Sequence, residues 1–363
     1  AEHRAQMPNS IGHIYQQVLD SCRTFRPQIL EKFPRLNRFL TGYDLEHVFN
    51  DDLTEFDLSR IITGSEGSLG FVVEAKLNIT PIAKYKCLVN VKYDSFESAL
   101  RNAPFLVAAE ATSVETVDSK VLNLARADII WHQVKDLITD VPGIEMQGLN
   151  MVEYNSEQQS EIEQKIAALT ARLDGAIADK TDGIIGYQLT YDNTAIGNIY
   201  AMRKKAVGLL GNTAGRQKPI AFAEDTAVPP QNLADFIMEF RALLDSHGLH
   251  YGMFGHVDAG VLHVRPILDM RRDGAEKMRA IAEEAAAMVR HYKGAYSGEH
   301  GDGHHGEQGC PHRAEQPAGR CPGRLHQPAV ERFGVGRRDR ARSGGGKTQG
   351  RLALGSATAN QLH

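Results

Sequence analysis

Two histidines stand seven residues apart in a stretch of apolar residues and turn-forming residues at positions 255–266. The pattern predicts a β-hairpin in which Ala259 and Gly260 form a two-residue turn, so that His256 faces His263. Directly opposed residues share one face of an antiparallel pair, with Cβ atoms about 4.5–5.5 Å apart. Two imidazoles at that separation can bind one metal ion. The same pattern also fits two packed or exposed histidines on an ordinary hairpin.

A third metal ligand and a proton acceptor occur together at Glu299 and His300, with glycines on both sides. In an extended backbone the two side chains point to opposite sides, so one can bind a metal while the other faces a reactant. Two histidines and one carboxylate with open positions suit a Lewis-acid metal such as zinc or manganese. The ordinary pKa of histidine, about 6.5, suits a general base. A charged loop without a chemical role is the alternative.

Two arginines are candidates for binding an anionic substrate, because the guanidinium fork matches a carboxylate. Arg203 lies in a predicted helix beside Lys204 and Lys205. Arg265 follows His263 by two residues, so a strand would place both side chains on one face. A solvated helix face is the alternative explanation for the cluster around Arg203.

Three glycines at three-residue spacing, Gly64, Gly67 and Gly70, precede an apolar stretch that we predict to be a β-strand. Glycines allow the backbone to approach a ligand closely, and their N–H groups can face a phosphate or a flavin ring. A lone repeat of this kind also fits a plain structural turn.

The composition is that of a soluble globular protein, with 363 residues, 42% hydrophobic and 24% charged. The net charge of −4 argues against nucleic acid as the main partner. No run reaches the roughly 18 apolar residues of a membrane helix. The four cysteines lack C-x-x-C spacing, which indicates neither a disulfide framework nor an iron–sulfur site here, and a reducing cytoplasm is expected.

An α+β fold must position these residues. Residues 1–60 have helical spacing, and strands alternate with helices over residues 85–302, which predicts two halves, each a sheet covered by helices on one face. Residues 304–363 carry eleven glycines and ten Lys or Arg against four acidic residues. That composition predicts disorder or poor packing, with a nucleic-acid-binding arm as the alternative.

Taken together, the motifs resemble those of one flavoprotein family. Gly42-Tyr43-Asp44-Leu45 and the loop at residues 64–70 resemble the FAD-contacting segment of vanillyl-alcohol-oxidase/PCMH flavoproteins. The strand at residues 224–229, the histidine hairpin and Gly298-Glu299-His300-Gly301 resemble the FAD-linked oxidase C-terminal domain. That family includes D-lactate dehydrogenases, glycolate oxidase subunits and D-2-hydroxyglutarate dehydrogenases. The hairpin most resembles the long bacterial D-2-hydroxyglutarate dehydrogenase type, in which an iron–sulfur module follows.

The resemblance implies part of a PCMH-type FAD-binding domain at residues 1–82. A ferredoxin-like α+β substrate and metal domain, with antiparallel sheets covered by helices, would follow at 83–303, and a disordered or frame-shifted basic tail at 304–363. The chain begins at Ala1, and the family's upstream pyrophosphate loop and usual ending are not found in it. We therefore expect an internal fragment with a foreign end. Asp258-Ala259-Gly260-Val261 replaces the Gly-Asp-Gly-Asn of many relatives, so a polar substrate contact is lost or replaced.

By the same resemblance, His256, His263 and Glu299 would bind a divalent metal, with zinc expected first. His300 would act as base, and Arg203, with Arg265 beside it, would bind the substrate carboxylate. The residues implied at FAD are Gly42, Tyr43, Gly64, Ser65, Gly67, Ser68, Leu69, Gly70 and Val73.

The implied reaction is the FAD-dependent oxidation of a D-2-hydroxy acid, of the D-2-hydroxyglutarate or D-lactate type, to the 2-oxo acid. The electrons would pass to a quinone, an electron-transfer flavoprotein or an iron–sulfur module, in the cytoplasm or at the periphery of the inner membrane. Two alternatives stay open: a zinc hydrolase that uses the same ligands without flavin, and a non-catalytic fragment of the dehydrogenase.

Overall fold

A computed structural model describes residues 1–39, 42–65, 67–211 and 215–301. Contacts divide these residues into two units, one of residues 1–71 with 83–301 and one of Val72–Ile82. The expected disordered or frame-shifted tail at residues 304–363 lies outside the described residues. Cys22 and Cys87 are buried free thiols.

Helices and strands alternate along most of the described chain. The α-helices are Glu2–Ala5 (α1), Ser10–Thr24 (α2), Arg26–Lys32 (α3), Ser59–Thr63 (α4), Phe96–Arg101 (α5), Ala103–Ala108 (α6), Ser119–Arg126 (α7), Trp131–Val134 (α8), Gln159–Asp179 (α9), Asn193–Gly211 (α10), Leu233–Ser246 (α11) and Gly274–His291 (α12). The strands are Tyr85–Tyr93 (β1), Ser113–Asp118 (β2), Gly148–Ser156 (β3), Ile184–Thr190 (β4), Lys218–Pro219 (β5), Asp225–Ala227 (β6), Tyr251–His256 (β7) and Val261–Leu268 (β8). Short 3₁₀ turns occupy Pro230–Asn232 and Val257–Ala259.

The strands form one eight-stranded sheet in the order β4-β1-β3-β2-β7-β8-β5, with β6 paired to β8, and every pairing is antiparallel. The first four strands lie in the order 4-1-3-2 and, with α5, α6 and α9, form the β-α-β-β-α-β pattern of the ferredoxin-like arrangement, with α7 and α8 inserted between β2 and β3. The predicted antiparallel, ferredoxin-like α+β class is therefore confirmed.

Helices cover both faces of this sheet, whereas we expected two sheets each covered on one face. One core contains Cys87, Val89 and Val91 of β1 and packs against α5, α6, α9, α11 and α12. The other contains Leu88 and packs against α7, α8 and α10. The sequence did not predict this second layer of helices because β1 presents polar side chains to it. Asn90 and Lys92 are buried there and reach the Leu137 carbonyl and Gln188.

Local sequence explains where the helices lie. The apolar residues of α9 that are buried, Ile162, Ile166, Leu169 and Leu173, recur at helical spacing and cover one stripe. Asp118, the last residue of β2, caps α7 by accepting a hydrogen bond from the Val121 amide at 2.8 Å.

The stretch after the glycine loop is not the β-strand that was predicted there. Residues 71–83 contain no strand. Within the second unit, the side chains of Val73 and Ile79 are 95% and 84% exposed, so the apolar alternation of this stretch has no covering layer. Pro27 lies in the first turn of α3, where proline is tolerated. Across the described ranges, no helix is both long and apolar enough to span a membrane.

Candidate active site

The histidine hairpin has a different register from the one predicted. Residues 257–260 make the turn, because Val257–Ala259 form a 3₁₀ turn that ends at Gly260 with φ of +70°. His256 therefore pairs with Val261, and His263 pairs with Phe254. The two histidines are diagonal neighbours on one face, and their ring centroids lie 5.7 Å apart at 87°.

Asp225 holds the segment that carries Glu299 and His300. Strand β6 pairs with β8 so that Asp225 lies opposite His263. The Oδ2 atom of Asp225 accepts hydrogen bonds from the Ser297 hydroxyl at 2.9 Å, the Glu299 amide at 2.8 Å and the His300 amide at 2.7 Å. A charged acceptor with three donors is a strong anchor, so β6 fixes this segment against the hairpin.

Glu299 lies between the two hairpin histidines. Its Oε1 atom is 3.6 Å from His256 Nε2, and its Oε2 atom is 3.8 Å from His263 Nε2. Donor atoms bound tetrahedrally to zinc at about 2.0–2.1 Å lie about 3.4 Å from one another. The two distances from Glu299 to the histidines are slightly longer than that separation. Arg38 also forms an ion pair with Glu299.

A second set of four possible ligands overlaps with the first. Asp225, His263, Glu299 and His300 each place one donor atom within 4.8 Å of the others. Two of them are already engaged, because Asp225 Oδ2 accepts three hydrogen bonds and His300 Nδ1 lies 2.9 Å from Glu224. The Nε2 atoms of His256 and His263 face Glu299 instead. Among the described residues, His256 is therefore not a member of the set whose donor atoms all lie this close together.

Glu299 and His300 do not point to opposite sides as expected, since the backbone bends at residues 298–300 and is not extended. The ring of His300 stacks on that of His263, with centroids 5.2 Å apart and an angle of 9°. The hydrogen bond with Glu224 raises the pKa of His300 above its ordinary value. Both side chains therefore belong to one cluster, in which the Nδ1 atom of His300 faces Glu224.

Glu224 connects this cluster to one of the predicted arginines. Its carboxylate lies 3.4 Å from His263 Nδ1, 2.9 Å from His300 Nδ1 and 3.0 Å from Arg265 Nη1. Burial alone would raise the pKa of Glu224, but its hydrogen bonds with both histidines and the charge of Arg265 hold it well below its ordinary value. Burial lowers the pKa of His263, which favours the neutral imidazole that a metal requires.

The other predicted arginine has a similar partner. Arg203, on α10, lies 2.7 Å from one oxygen of Glu115, whose other oxygen lies 2.7 Å from His256 Nδ1. Burial would raise the pKa of Glu115, but the hydrogen bond with His256 and the charge of Arg203 outweigh it and lower the pKa. The Arg203 Nε donor is buried and has no hydrogen-bond partner within the described part of the chain.

Several site residues were not singled out from sequence: Arg38, Glu115, Glu224, Asp225 and Phe254. Glu115 and Glu224 are charged residues within short buried strands or at their edge, which is a usable signal because unpaired charges are rarely buried. Arg38 gave no comparable signal.

The residues predicted at FAD form two loops that contact each other. Tyr43 Oη lies 3.1 Å from Ser68 Oγ, and a Cβ at Gly64 would lie 2.0 Å from the Gly42 carbonyl oxygen. Gly42 and Gly67 have φ of +70° and +79°. Close packing and positive φ therefore account for these three glycines without any ligand.

The remaining predicted flavin residues differ in their surroundings. Ser65 is buried and its hydroxyl donates to the Ile62 carbonyl, while Leu69 is half exposed and a Cβ at Gly70 would meet no atom within 4 Å. Val73 belongs to the second unit. The structure thus brings Gly42 and Tyr43 together with the loop as far as Ser68.

Comparison with known proteins defines the class. Residues 82–313 match the model of the family described as FAD linked oxidases, C-terminal domain, and the chain belongs to that family. It is 61% identical over 304 residues to the D-2-hydroxyglutarate dehydrogenase of Pantoea ananatis and 60% identical over 308 residues to that of Escherichia coli K12. The matches cover 84% and 85% of this chain and 30% of each relative.

More distant similarity reaches a glycolate oxidase. The chain is 26% identical over 256 residues to glycolate oxidase subunit GlcD of Bacillus subtilis, which covers 69% of this chain and 50% of that protein. The chain spans about 30% of the length of these two dehydrogenases.

Proposed function

We propose that this chain provides the substrate and metal site of an FAD-dependent dehydrogenase that oxidises D-2-hydroxyglutarate to the 2-oxo acid. One observation carries the proposal: His256, His263 and Glu299 converge, with His300 stacked beside them. Residues 83–303 would form this domain, and residues 1–82 would contribute to FAD binding.

The metal would be held by His256 Nε2, His263 Nε2 and a Glu299 oxygen. This donor set suits zinc, and the bound ion supplies Lewis acidity that makes an α-hydroxyl group more acidic. The Nδ1 atoms of both histidines face buried carboxylates, Glu115 and Glu224. Carboxylates in these positions orient metal-binding imidazoles and fix their tautomers.

His300 would accept the hydroxyl proton at Nε2, because Glu224 occupies its Nδ1 atom and strengthens it as a base. FAD, when bound, supplies the acceptor for the α-hydrogen as hydride. Of the residues implied at FAD, those from Gly42 to Gly70 lie in one unit. Their assignment to FAD rests on the family resemblance.

Two arginines favour a substrate with two carboxylates. Arg203 has a spare buried donor at Nε, and each guanidinium carries five N–H groups, so pairing with Glu115 or Glu224 leaves donors for a ligand. A dicarboxylate can engage both Arg203 and Arg265. This supports D-2-hydroxyglutarate, the substrate in the names of the two relatives, over D-lactate.

Zinc binding and substrate binding test the proposal directly. We expect the purified 363-residue chain to bind one zinc ion in competition with a chromophoric chelator, and H263A to lose at least 100-fold in affinity. H250A removes an exposed histidine beside the same hairpin and is the matched control. Equal affinity of wild type and H263A would refute the metal assignment.

Flavin and substrate complete the test. Bound flavin in the purified chain should bleach when D-2-hydroxyglutarate is added without oxygen, and the electron acceptor can then be sought among quinones, electron-transfer flavoprotein and iron–sulfur modules. Zinc binding in a colourless chain that hydrolyses model esters would favour the hydrolase alternative. A colourless chain that binds zinc and D-2-hydroxyglutarate but catalyses nothing would favour the non-catalytic fragment.

A further inference from the structure

We propose that Glu115 is a positioning residue that holds the metal-binding imidazole of His256 and the substrate-binding guanidinium of Arg203 as one unit. The inference rests on the proposed function. Beyond orienting His256, it gives Glu115 a role in placing Arg203. Glu115 would set both the direction of His256 Nε2 and the distance between the metal and Arg203.

The sheet itself places Glu115 beside His256. Strand β2 pairs with β7 so that Glu115 lies directly opposite His256, and opposed residues share a face. The Oε1 atom lies 2.7 Å from His256 Nδ1, and the side chain is almost completely buried. An ionised carboxylate can only accept, so His256 must donate from Nδ1 and leaves Nε2 with its lone pair. That Nε2 atom is the one that faces Glu299 at 3.6 Å.

The second oxygen of Glu115 determines where Arg203 lies. Oε2 is 2.7 Å from an Arg203 terminal nitrogen, and the guanidinium carbon lies 5.1 Å from the centroid of the Phe254 ring. Strand β2 thus sets the position of a side chain from α10 through a single carboxylate. The negative charge also separates two groups that would otherwise repel, a metal-bound imidazole and a guanidinium.

A purely structural ion pair is the competing explanation, and the chain offers a matched control for it. Glu153 lies on the same face of the sheet, two residue pairs from Glu115, because β3 pairs it with Ser113. It is also buried, and it contacts Tyr200 of α10 and Lys86. It has no contact with His256. E153Q therefore removes a buried carboxylate without altering the histidine.

The experiment compares zinc affinity in the full chain of wild type, E115Q and E153Q, by competition with a chromophoric chelator. Loss of an outer carboxylate partner of a metal-binding histidine weakens metal binding by about 10–100-fold. We expect that loss in E115Q and none in E153Q. Equal zinc affinity in E115Q and wild type would overturn the proposal, as would equal losses in both variants.

A second measurement needs no metal. Nitrogen NMR of ¹⁵N-histidine-labelled wild type, without metal, should show His256 as the tautomer protonated at Nδ1. In E115Q, the same ring should populate both tautomers. Protonation at Nε2 in the wild type would overturn the role of Glu115 whether or not zinc binds. Absence of zinc binding by a wild type with the expected tautomer would refute the metal assignment alone.

Discussion

The guanidinium groups of Arg203 and Arg265 lie against the ring of one phenylalanine, Phe254, at 5.1 Å and 5.9 Å from its centroid. One arginine comes from α10 and the other from β8, and each also pairs with a buried carboxylate, Glu115 or Glu224. The aromatic face and the two carboxylates keep two like charges close together. The result is a pair of positively charged side chains beside the two hairpin histidines.

These two arginines predict how the site distinguishes between substrates. Charge-assisted hydrogen bonds contribute about 1.5–3 kcal/mol, or about 10–100-fold in affinity. We expect R203Q and R265Q each to weaken binding of D-2-hydroxyglutarate by that factor. Only one of the two substitutions should weaken binding of D-lactate to the same extent, because a monocarboxylate engages one arginine. Titration calorimetry of the zinc-loaded chain measures both ligands.

R279Q, which changes an exposed arginine on α12, is the control for lost positive charge. It should leave both affinities unchanged. Equal weakening of D-lactate binding by R203Q and R265Q would contradict the two-carboxylate assignment.

The turn that joins the two histidine strands makes a second prediction. Gly260 has φ of +70°, and an added Cβ would lie 1.7 Å from the Val228 carbonyl oxygen. Gly248 has φ of +65°, but an added Cβ there would meet nothing within 4 Å. A left-handed conformation costs a residue with a Cβ about 1–2 kcal/mol. We therefore expect G248A to lower the free energy of unfolding by about that amount, and G260A to lower it clearly more.

Urea denaturation of both variants measures the difference. The Val228 amide donates to the Gly260 carbonyl at 3.0 Å, so relief of the clash must displace this contact and the turn with it. G260A should also weaken zinc binding, whereas G248A should not. Equal free energies of unfolding for the two variants would show that the turn can move without cost.

Four residues of the candidate site could be picked out from sequence because they lie in two short motifs. His256, His263, Glu299 and His300 are of types that bind metals or move protons, and glycines mark the turns beside them. The hairpin register was not readable, since a 3₁₀ turn at Val257–Ala259 takes more residues than the predicted two-residue turn. A shift of register changes which residues are opposed, yet here both histidines stayed on one face.

The partners of the supporting carboxylates could not be predicted from sequence, because long-range strand pairing brings them together. Glu115 is 141 positions before His256, and only the antiparallel pairing of β2 with β7 makes them neighbours. The fold class followed from the alternation of strands and helices, but the two-sided cover of the sheet did not. Buried Asn90 and Lys92 gave β1 the alternation of a strand with one solvent-facing side.

Asp225 gives a third prediction, since one carboxylate oxygen anchors the segment that carries Glu299 and His300. D225N would place an amide donor or a weaker neutral acceptor opposite two backbone N–H groups. Unsatisfied or weakened buried hydrogen bonds of this kind cost about 1–3 kcal/mol. We expect faster hydrogen exchange at the Glu299 and His300 amides and weaker zinc binding.

S297A provides a graded comparison, because it removes one donor to Asp225 and keeps both backbone bonds. Its effect on exchange at the same amides should be smaller. Unchanged protection of those amides in D225N would mean that other contacts hold the segment.

Asp118 provides a pH-dependent prediction at a position away from the proposed metal ligands. Burial raises the pKa of this carboxyl from 3.8 to about 6, although it accepts hydrogen bonds from the Val121 and Met253 amides. Between those two values the folded chain keeps a proton that the unfolded chain has released. Stability must therefore fall as pH rises through this window, by up to about 3 kcal/mol.

D118N has no proton to lose at this position. Comparison of wild type with D118N therefore isolates the effect of Asp118 ionisation on stability. The free energy of unfolding of wild type relative to D118N should decrease by up to about 3 kcal/mol between pH 4 and pH 7. E283Q, which removes an exposed carboxylate on α12, controls for the loss of one negative charge. Urea denaturation at each pH measures the difference. A constant or rising difference would mean that the two amide hydrogen bonds stabilise the ionised carboxylate enough to cancel the effect of burial.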